Sequence, residues 1–278
     1  MKLFTLSALA AGLLGAVTAA ASADVLSDVK SRGKLVCGVL NVNEPFAYQD
    51  VNTRELVGYE IDLCHLLADH LGVEGETKVV TSQSRIPELT QGRVDVLISL
   101  LSYTEERAQQ VDFSNNYLQS SWRCMVLKDS PYQHLDELAD KRVAILKGSV
   151  LEENFRELYP DATILSLDDT SASLLAVLQG KVEATCNNQV TVRLVALRGG
   201  GGDTTRLLPE PVMTATTGMA VKKGETALRD EINAFLEEIE TNGKGDELFD
   251  RWLGSGTGLN LERDYKFGEP NRPQALAR

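Results

Sequence analysis

Arg107 lies in a stretch of the chain whose residue types suit the binding of an anion. It follows the apolar run 94–99 and a loop that offers the hydroxyls of Ser99 and Ser102. A guanidinium is a planar, permanently charged fork that can bind a carboxylate through two parallel hydrogen bonds. The alternative is an exposed arginine paired with a nearby acid, a contact worth at most ~1 kcal/mol.

A helix start is expected directly before Arg107. Thr104 can cap it, and Glu105 and Glu106 would then occupy the first turn, where the helix dipole favours acids. Ser102 and Glu105 also fit a capping box, so the exact start stays open.

The segment 147–150, Lys-Gly-Ser-Val, is a second candidate for anion binding. Gly148 and Ser149 stand between a predicted strand and a predicted helix, where backbone N–H groups can face an anion. The lysine precedes the glycine, so this is not a nucleotide-binding P-loop. An ordinary turn with Ser149 as helix cap is the alternative.

The composition limits the partners and excludes some chemistry. The formal net charge of −12 makes nucleic acid or an anionic membrane surface a poor partner, and an anionic ligand would need a local cationic pocket. The chain has only three histidines and no C-x-x-C pair, so zinc spacing is absent. No cofactor and no metal are expected.

Residues 1–23 predict a cleaved signal peptide. Lys2 precedes a long apolar run, and Ala21–Ala23 reads A-x-A, which predicts cleavage before Asp24. An uncleaved anchor is the alternative, but alanine and glycine dominate a run that would need ~20 strongly apolar residues. The mature chain is therefore expected to be exported to the periplasm.

Two segments of the chain repeat one pattern. Residues 89–99 and 178–188 both contain Q-G-[R/K]-V-[D/E] before a β-prone run, which predicts a helix ended by a glycine and then a strand. Gly92 and Gly180 would take the positive φ angle. Strands alternate with helices before both, which predicts two β-α-β-α-β lobes with parallel sheets.

The predicted domains follow from this repeat. The first lobe comprises 24–119 and 216–268, the second comprises 120–215, and 269–278 is expected to be an irregular tail. Two crossovers between the lobes would form a hinge beside a cleft. Ligands of open α/β sheets bind beyond the carboxyl ends of strands. The loops to consider are therefore 40–46, 81–86, 99–107, 147–151 and 186–189.

An exported chain with four cysteines can form disulfides. Cys37 with Cys64 and Cys124 with Cys186 are the pairs that fall within one lobe. Four buried thiols remain the alternative.

Longer motifs resemble the extracellular solute-binding proteins of family 3, the amino-acid-binding components of ABC importers. The runs "GYEIDLCHLLADHLG", "SRIPELTQGRVDVLIS", "SYTEERAQQVDFSNNY" and "DELADKRVAILKGSV" are similar to that family's motifs, and together they span most of the mature chain. The resemblance implies an α/β, two-lobed periplasmic-binding-protein fold of type II, with parallel-sheet lobes joined by a two-strand hinge. It also implies an ABC permease as partner and a monomer.

The resemblance also assigns roles to residues. Arg107 matches the arginine that binds the ligand α-carboxylate, and Ser102 and Ser99 match loop positions that contact the ligand. Ser149 and Val150 match the second-lobe turn whose N–H groups face the same carboxylate. Pro45 and Phe46 match the family's "PF" pair, and Phe46 is therefore also a candidate ligand contact.

Departures from the family pattern fall where the rest of the ligand would lie. Asn188 replaces the aspartate that commonly holds the ligand ammonium, and Glu44 is the loop acid that could substitute for it. Asn43 replaces a common aromatic wall residue, and Leu100 replaces a small residue.

Arg85 leaves two interpretations open. It matches an arginine that reaches a side-chain carboxylate in acidic-amino-acid binders, but Leu40 replaces their other arginine. Alternatively, Arg85 is a surface residue at a helix start.

The sequence therefore predicts a protein that binds a small carboxylate, a polar amino acid or a derivative, and performs no chemistry on it. The alternative is a periplasmic dehydratase of the cyclohexadienyl dehydratase type on the same fold. That reaction needs a general acid in the cleft, for which Glu44 is the candidate. A sensor domain is the third interpretation.

Overall fold

The computed structural model describes residues 24–257, 259, 261–263, 265–272 and 275–276. The expected signal peptide, 1–23, lies outside these residues. Within the described part of the chain, none of the helices has the length and apolar character required to cross a membrane.

The helices follow the predicted alternation with strands. They are α1 (Val25–Arg32), α2 (Tyr59–Leu71), α3 (Arg85–Thr90), α4 (Glu105–Gln110), α5 (Val150–Leu158), α6 (Thr170–Leu178), α7 (Gln189–Arg198), α8 (Thr226–Thr241) and α9 (Lys244–Trp252), with a short 3-10 helix at Leu135–Leu138. Gly92 and Gly180, which follow α3 and α6, have φ angles of 70° and 67°. The positive φ angles predicted for these two glycines are thus confirmed.

The strands vary widely in length, and two of them are much longer than the sequence pattern indicated. They are β1 (Lys34–Val39), β2 (Val42–Asn43), β3 (Ala47–Gln49), β4 (Leu56–Val57), β5 (Glu74–Val79), β6 (Val96–Leu97), β7 (Val111–Leu127), β8 (Arg142–Leu146), β9 (Thr163–Leu167), β10 (Ala184–Asn188), β11 (Thr205–Lys222) and β12 (Ala275–Leu276).

One nine-stranded sheet runs through the molecule in the order β5-β1-β6-β11-β7-β10-β8-β9, with β12 beside β11. Strand β1 is parallel to β5 and β6, and β8 is parallel to β9 and β10. We call the part built on β5, β1 and β6 the first lobe, and the part built on β10, β8 and β9 the second lobe. The long strands β7 and β11 run antiparallel through both.

The two long strands are the connection between the lobes. Residues 118–121 of β7 pair with residues 214–217 of β11 at the middle of the sheet. The expected two-lobed α/β fold with a two-strand hinge is therefore confirmed. The lobes are not purely parallel, because β7 and β11 add antiparallel pairs to each.

Each lobe has its own apolar core, and each core contains one disulfide. Cys37 of β1 is bonded to Cys64 of α2, and Cys124 of β7 is bonded to Cys186 of β10. Both pairs are almost completely buried. The second pair joins directly opposed residues of two antiparallel strands.

The tail differs from the expectation of an irregular segment. Strand β12 pairs with Met213 and Thr214 of β11. Asn271 donates a 2.5 Å hydrogen bond to the Ser114 carbonyl, and the Arg272 N–H donates to the Thr216 hydroxyl. The tail is rich in residues that interrupt regular structure, so its composition did not predict this strand pairing. Backbone hydrogen bonds need no particular side chains.

Candidate functional site

A small cavity lies between the lobes, at the carboxyl ends of the parallel strands. Every loop that the sequence indicated contributes to its wall, and β7 adds a tryptophan. The lining residues are Leu40, Asn43, Ser82, Arg85, Leu100, Arg107, Trp122, Leu146, Ser149, Val150 and Asn187.

Arg107 is held inside this cavity by the start of its own helix. The Thr104 hydroxyl accepts a 3.0 Å hydrogen bond from the Arg107 N–H, so Thr104 is the helix cap. Arg107 is only 8% exposed, and its Nη1 donates to the Ser102 carbonyl at 3.2 Å. Burial lowers the pKa of Arg107 from its ordinary value because the charged form loses hydration.

Arg85 is a second buried guanidinium in the same wall. It is 3% exposed, so it is not a surface residue, and its Nη1 donates to the Ser99 carbonyl at 2.5 Å. Burial, followed by repulsion from Arg107, lowers the pKa of Arg85 to about 9. Its Nε is buried and has no hydrogen-bond partner among the described residues.

The hydroxyls of Ser99 and Ser102 are also buried without a hydrogen-bond partner in the described part of the chain. Neither serine lines the cavity wall, although their carbonyls anchor the two arginines that do. Burying an unpaired hydroxyl costs about 1–3 kcal/mol. Such groups are typical of a site that is completed by a ligand or water.

The second lobe contributes Ser149 and Val150 to the wall. Ser149 caps α5 by accepting a 3.3 Å hydrogen bond from the Glu152 N–H, and its own N–H donates to the Leu146 carbonyl at 3.2 Å. The Ser149 N–H is therefore already engaged, unlike the free donor that the sequence suggested. A Cβ at Gly148 would approach a Gln83 side-chain carbon to 2.7 Å, so this glycine allows the lobes to meet.

A chain of amide and hydroxyl groups also joins the lobes. Asn187 Nδ2 donates to the Thr170 hydroxyl at 2.8 Å, and that hydroxyl donates to Asn43 Oδ1 at 3.4 Å. All three side chains are at most 4% exposed. Asn43 and Asn187 both line the cavity.

The structure does not place Asn188 among the residues that line the cavity. Its Oδ1 caps α7 by accepting a 3.0 Å hydrogen bond from the Val190 N–H, and its Nδ2 is buried without a hydrogen-bond partner among the described residues. The neighbouring Asn187 lines the cavity instead.

Glu44 and Phe46 are also not where the sequence suggested. The Glu44 carboxylate forms an ion pair across the lobes with Arg198 Nη1 and lines a neighbouring surface pocket. Phe46 is fully buried in the apolar core of the first lobe, where its ring meets the edge of Tyr59. Neither residue lines the cavity.

Sequence reasoning missed Trp122 and Glu60. The indole N–H of Trp122 is buried without a hydrogen-bond partner among the described residues, and the ring lines the cavity. Glu60 is fully buried behind the cavity wall, where it accepts a 2.7 Å hydrogen bond from the Leu100 N–H. A charged residue within the apolar face of α2 was the signal that could have identified Glu60.

The charged groups of the cavity wall are all positive. It contains two guanidiniums and no carboxylate, and neither arginine forms an ion pair within the residues described. A buried charge without a partner is costly. The arrangement therefore suits an anionic ligand. No cluster of ligating side chains in the described ranges could hold a metal ion.

Comparison with known proteins points to one family. The model of the bacterial extracellular solute-binding proteins, family 3, matches residues 35–255. A glutamine-binding protein of an ABC transporter from Bacillus subtilis is 31% identical over 91% of this chain and 94% of its own length. An L-cystine-binding protein from Escherichia coli is 27% identical over 89% and 92% of the two chains.

A solved structure with the same fold is an ancestral amino-acid-binding protein described as a precursor of cyclohexadienyl dehydratase. It superimposes with a TM-score of 0.76 at 27% identity, covering 82% of this chain and 99% of that one.

Proposed function

Since the chain belongs to the bacterial extracellular solute-binding proteins of family 3, we propose that it binds a free amino acid between its lobes and delivers it to an ABC importer. The glutamine- and cystine-binding relatives support an amino-acid ligand. Export to the periplasm, through the signal peptide expected at 1–23, is part of this proposal, and so is a monomeric state.

One observation carries the proposal, namely a buried Arg107 guanidinium that faces the cavity without a carboxylate partner among the described residues. A ligand α-carboxylate would supply that partner. Trp122 can add a donor through its unpaired indole N–H, and Arg85 can add a second guanidinium. Ser99 and Ser102 stabilise the two arginines through their carbonyls.

The ligand ammonium has no carboxylate partner in the cavity wall. Glu44, the candidate replacement acid, is paired with Arg198, and Asn188 caps a helix. The amide oxygens of Asn43 and Asn187 remain as weaker acceptors at the wall. We therefore expect the carboxylate to contribute more to affinity than the ammonium.

Binding rather than catalysis is the better-supported activity. The dehydratase alternative requires a general acid beside the ligand, whereas no carboxyl group of the described residues lines the cavity. The ancestral neighbour is itself described as amino-acid-binding. Incubation with prephenate and with arogenate should yield no product, and a product would reverse this choice.

A thermal-shift screen tests the proposal. The panel is L-glutamine, L-glutamate, L-cystine and L-arginine, with succinate as a carboxylate that lacks an ammonium. A ligand present at 100 times its Kd stabilises the native state by about 2.7 kcal/mol. We expect at least one amino acid to raise the Tm by roughly 5–10 °C, with calorimetry giving one site per chain. A panel without any shift would contradict the proposal.

A further inference from the structure

Glu60 is a fully buried carboxyl group that no ligand contact explains. It is the second residue of α2, between Tyr59 and Ile61, and its exposed fraction is 0%. Its Oε1 accepts hydrogen bonds from the Leu100 N–H, at 2.7 Å, and from the Tyr117 hydroxyl. Its Oε2 is buried without a hydrogen-bond partner among the described residues.

The group that Glu60 holds is a strained turn. Leu100 has a φ angle of 50°, in the left-handed region that residues with a side chain rarely adopt. The Leu100 N–H also lies 3.2 Å from the Tyr117 hydroxyl, so Glu60 and Tyr117 together fix its direction. Leu100 itself lines the cavity.

This turn carries both anchors of the cavity arginines. Arg85 donates to the Ser99 carbonyl, directly before Leu100, and Arg107 donates to the Ser102 carbonyl, two residues after it. A change in the turn therefore moves the two carbonyls that orient the two guanidiniums. Glu60 is the only carboxylate among the described residues that bonds to this turn.

We propose that Glu60 is a positioning residue of the binding site, which holds the Leu100 turn beneath the two arginines and takes up a proton when an anionic ligand enters the cavity. This inference rests on the proposed function, because it needs a ligand carboxylate in the cavity.

The electrostatic surroundings support proton uptake. Among the described residues, the ionisable groups that face Glu60 are Tyr117 of β7 and Arg85 of α3. Burial raises the pKa of Glu60 to about 7, against the opposing effects of the Tyr117 and Leu100 hydrogen bonds and of Arg85. The group is therefore part ionised near neutral pH. A second negative charge in the cavity disfavours its ionised form.

The ionised and protonated forms of Glu60 can both hold the turn, since Oε1 remains an acceptor in either. What changes is the charge behind the cavity. Protonation removes a negative charge that repels the ligand carboxylate, and by linkage ligand binding then favours protonation. An amino acid such as glutamine keeps its charges between pH 6 and 8, and no histidine lines the cavity.

Calorimetry with the best-binding amino acid of the panel tests this inference. For the wild type we expect the Kd to fall by about five-fold from pH 8 to pH 6, and a fraction of a proton to be taken up per ligand at pH 7. Titrations in buffers of different ionisation enthalpy measure that uptake. In Glu60→Gln, which keeps an acceptor for the Leu100 N–H, the Kd should be flat with pH and the uptake should vanish.

Two further variants separate positioning from general effects. Glu60→Leu removes the acceptor and should weaken binding about ten-fold or more at both pH values, since the turn loses its anchor. Asp69→Asn removes one exposed charge from the same helix and should keep the wild-type pH profile.

The outcomes distinguish this inference from the proposed function. A wild type that binds no amino acid of the panel removes the proposed function, and the inference with it. A wild type that binds, with Glu60→Gln keeping the same pH dependence and proton uptake, overturns the inference alone. So does a folded Glu60→Leu variant that binds as tightly as the wild type.

Discussion

Two sets of polar side chains line the cavity, and they differ in what they lack. Arg85 and Arg107 carry charges without a carboxylate partner in the described chain. Asn43 and Asn187 are neutral and already joined through Thr170. The first set needs a ligand to complete its interactions, whereas the side chains of the second set are already hydrogen-bonded within the protein. A cavity of this kind should discriminate by the anionic group of the ligand and only weakly by its cationic group.

Arg107→Met should show the largest effect. Removing the guanidinium takes away the main partner of a buried ligand carboxylate, a loss of about 3–5 kcal/mol. Affinity for the best amino acid of the panel should fall at least 100-fold in calorimetry. Circular dichroism should show an unchanged fold, because methionine preserves most of the side-chain volume. Unchanged affinity would mean that the Arg107 charge does not pair with the ligand, and that the charged set needs a ligand no more than the neutral set does.

The next largest effect should be on the pH dependence of stability. This dependence reports the ionisation of the Glu60 carboxyl, which lies behind the two arginines. Glu60 has its pKa raised from 4.5 to about 7 in the folded protein. The native state therefore binds this proton more tightly than the unfolded chain. The resulting stabilisation is complete below pH 4.5 and is lost as the pH rises through 7.

Urea unfolding at pH 4.5 and pH 8, without ligand, measures this loss. The free energy of unfolding of the wild type should fall by about 3 kcal/mol more than that of Glu60→Gln. Asp69→Asn is the control, because that carboxylate is exposed on the same helix. Equal losses in the wild type and in Glu60→Gln would show that the buried carboxyl does not titrate in this range.

Asn187→Asp should place a negative charge in the part of the cavity wall that is neutral in the wild type. A carboxylate at this position can pair with a ligand ammonium, and we expect affinity for amino acids to rise about ten-fold, as one charged hydrogen bond would give. Succinate should bind more weakly to the same variant. Asn188→Asp is the matched control, since an aspartate can still cap α7 and does not line the cavity. If Asn188→Asp gives the larger gain, Asn188 rather than Asn187 lies beside the ligand ammonium.

Glu44→Gln should show the smallest effect. The ion pair with Arg198 joins the lobes beside the cavity, but the arginine side chain is 57% exposed, so solvent screens the pair. Affinity should fall by no more than about five-fold, equally for amino acids and for succinate. A loss confined to ligands with an ammonium would return Glu44 to the role that the sequence suggested.

The repeat around Gly92 and Gly180 predicted the two lobes. A glycine that ends a helix is recognisable in the sequence, because the backbone conformation at that position depends on the residue itself. Side-chain direction could not be read in the same way. Asn187 and Asn188 are adjacent at the end of one strand, and the sequence alone does not show that Asn187 lines the cavity. Similarly, Glu44 contacts Arg198, which is distant in the sequence and belongs to the other lobe.

Glu60 illustrates a further limit of sequence reasoning. Its setting on α2 was visible, but its partners come from a loop and a strand about 40 and 57 residues further along the chain. Such contacts depend on the packing of elements rather than on local pattern. The lobe boundaries expected from the sequence, and the export signal at 1–23, stay predictions.

A crystal structure with the amino acid that stabilises the protein most is the most direct test of the central claim. We expect the ligand α-carboxylate to accept hydrogen bonds from the Arg107 guanidinium inside the interlobe cavity. We also expect that no protein carboxylate within the cavity contacts the ligand ammonium. A ligand bound outside this cavity, or one with its carboxylate directed away from Arg107, would contradict the account.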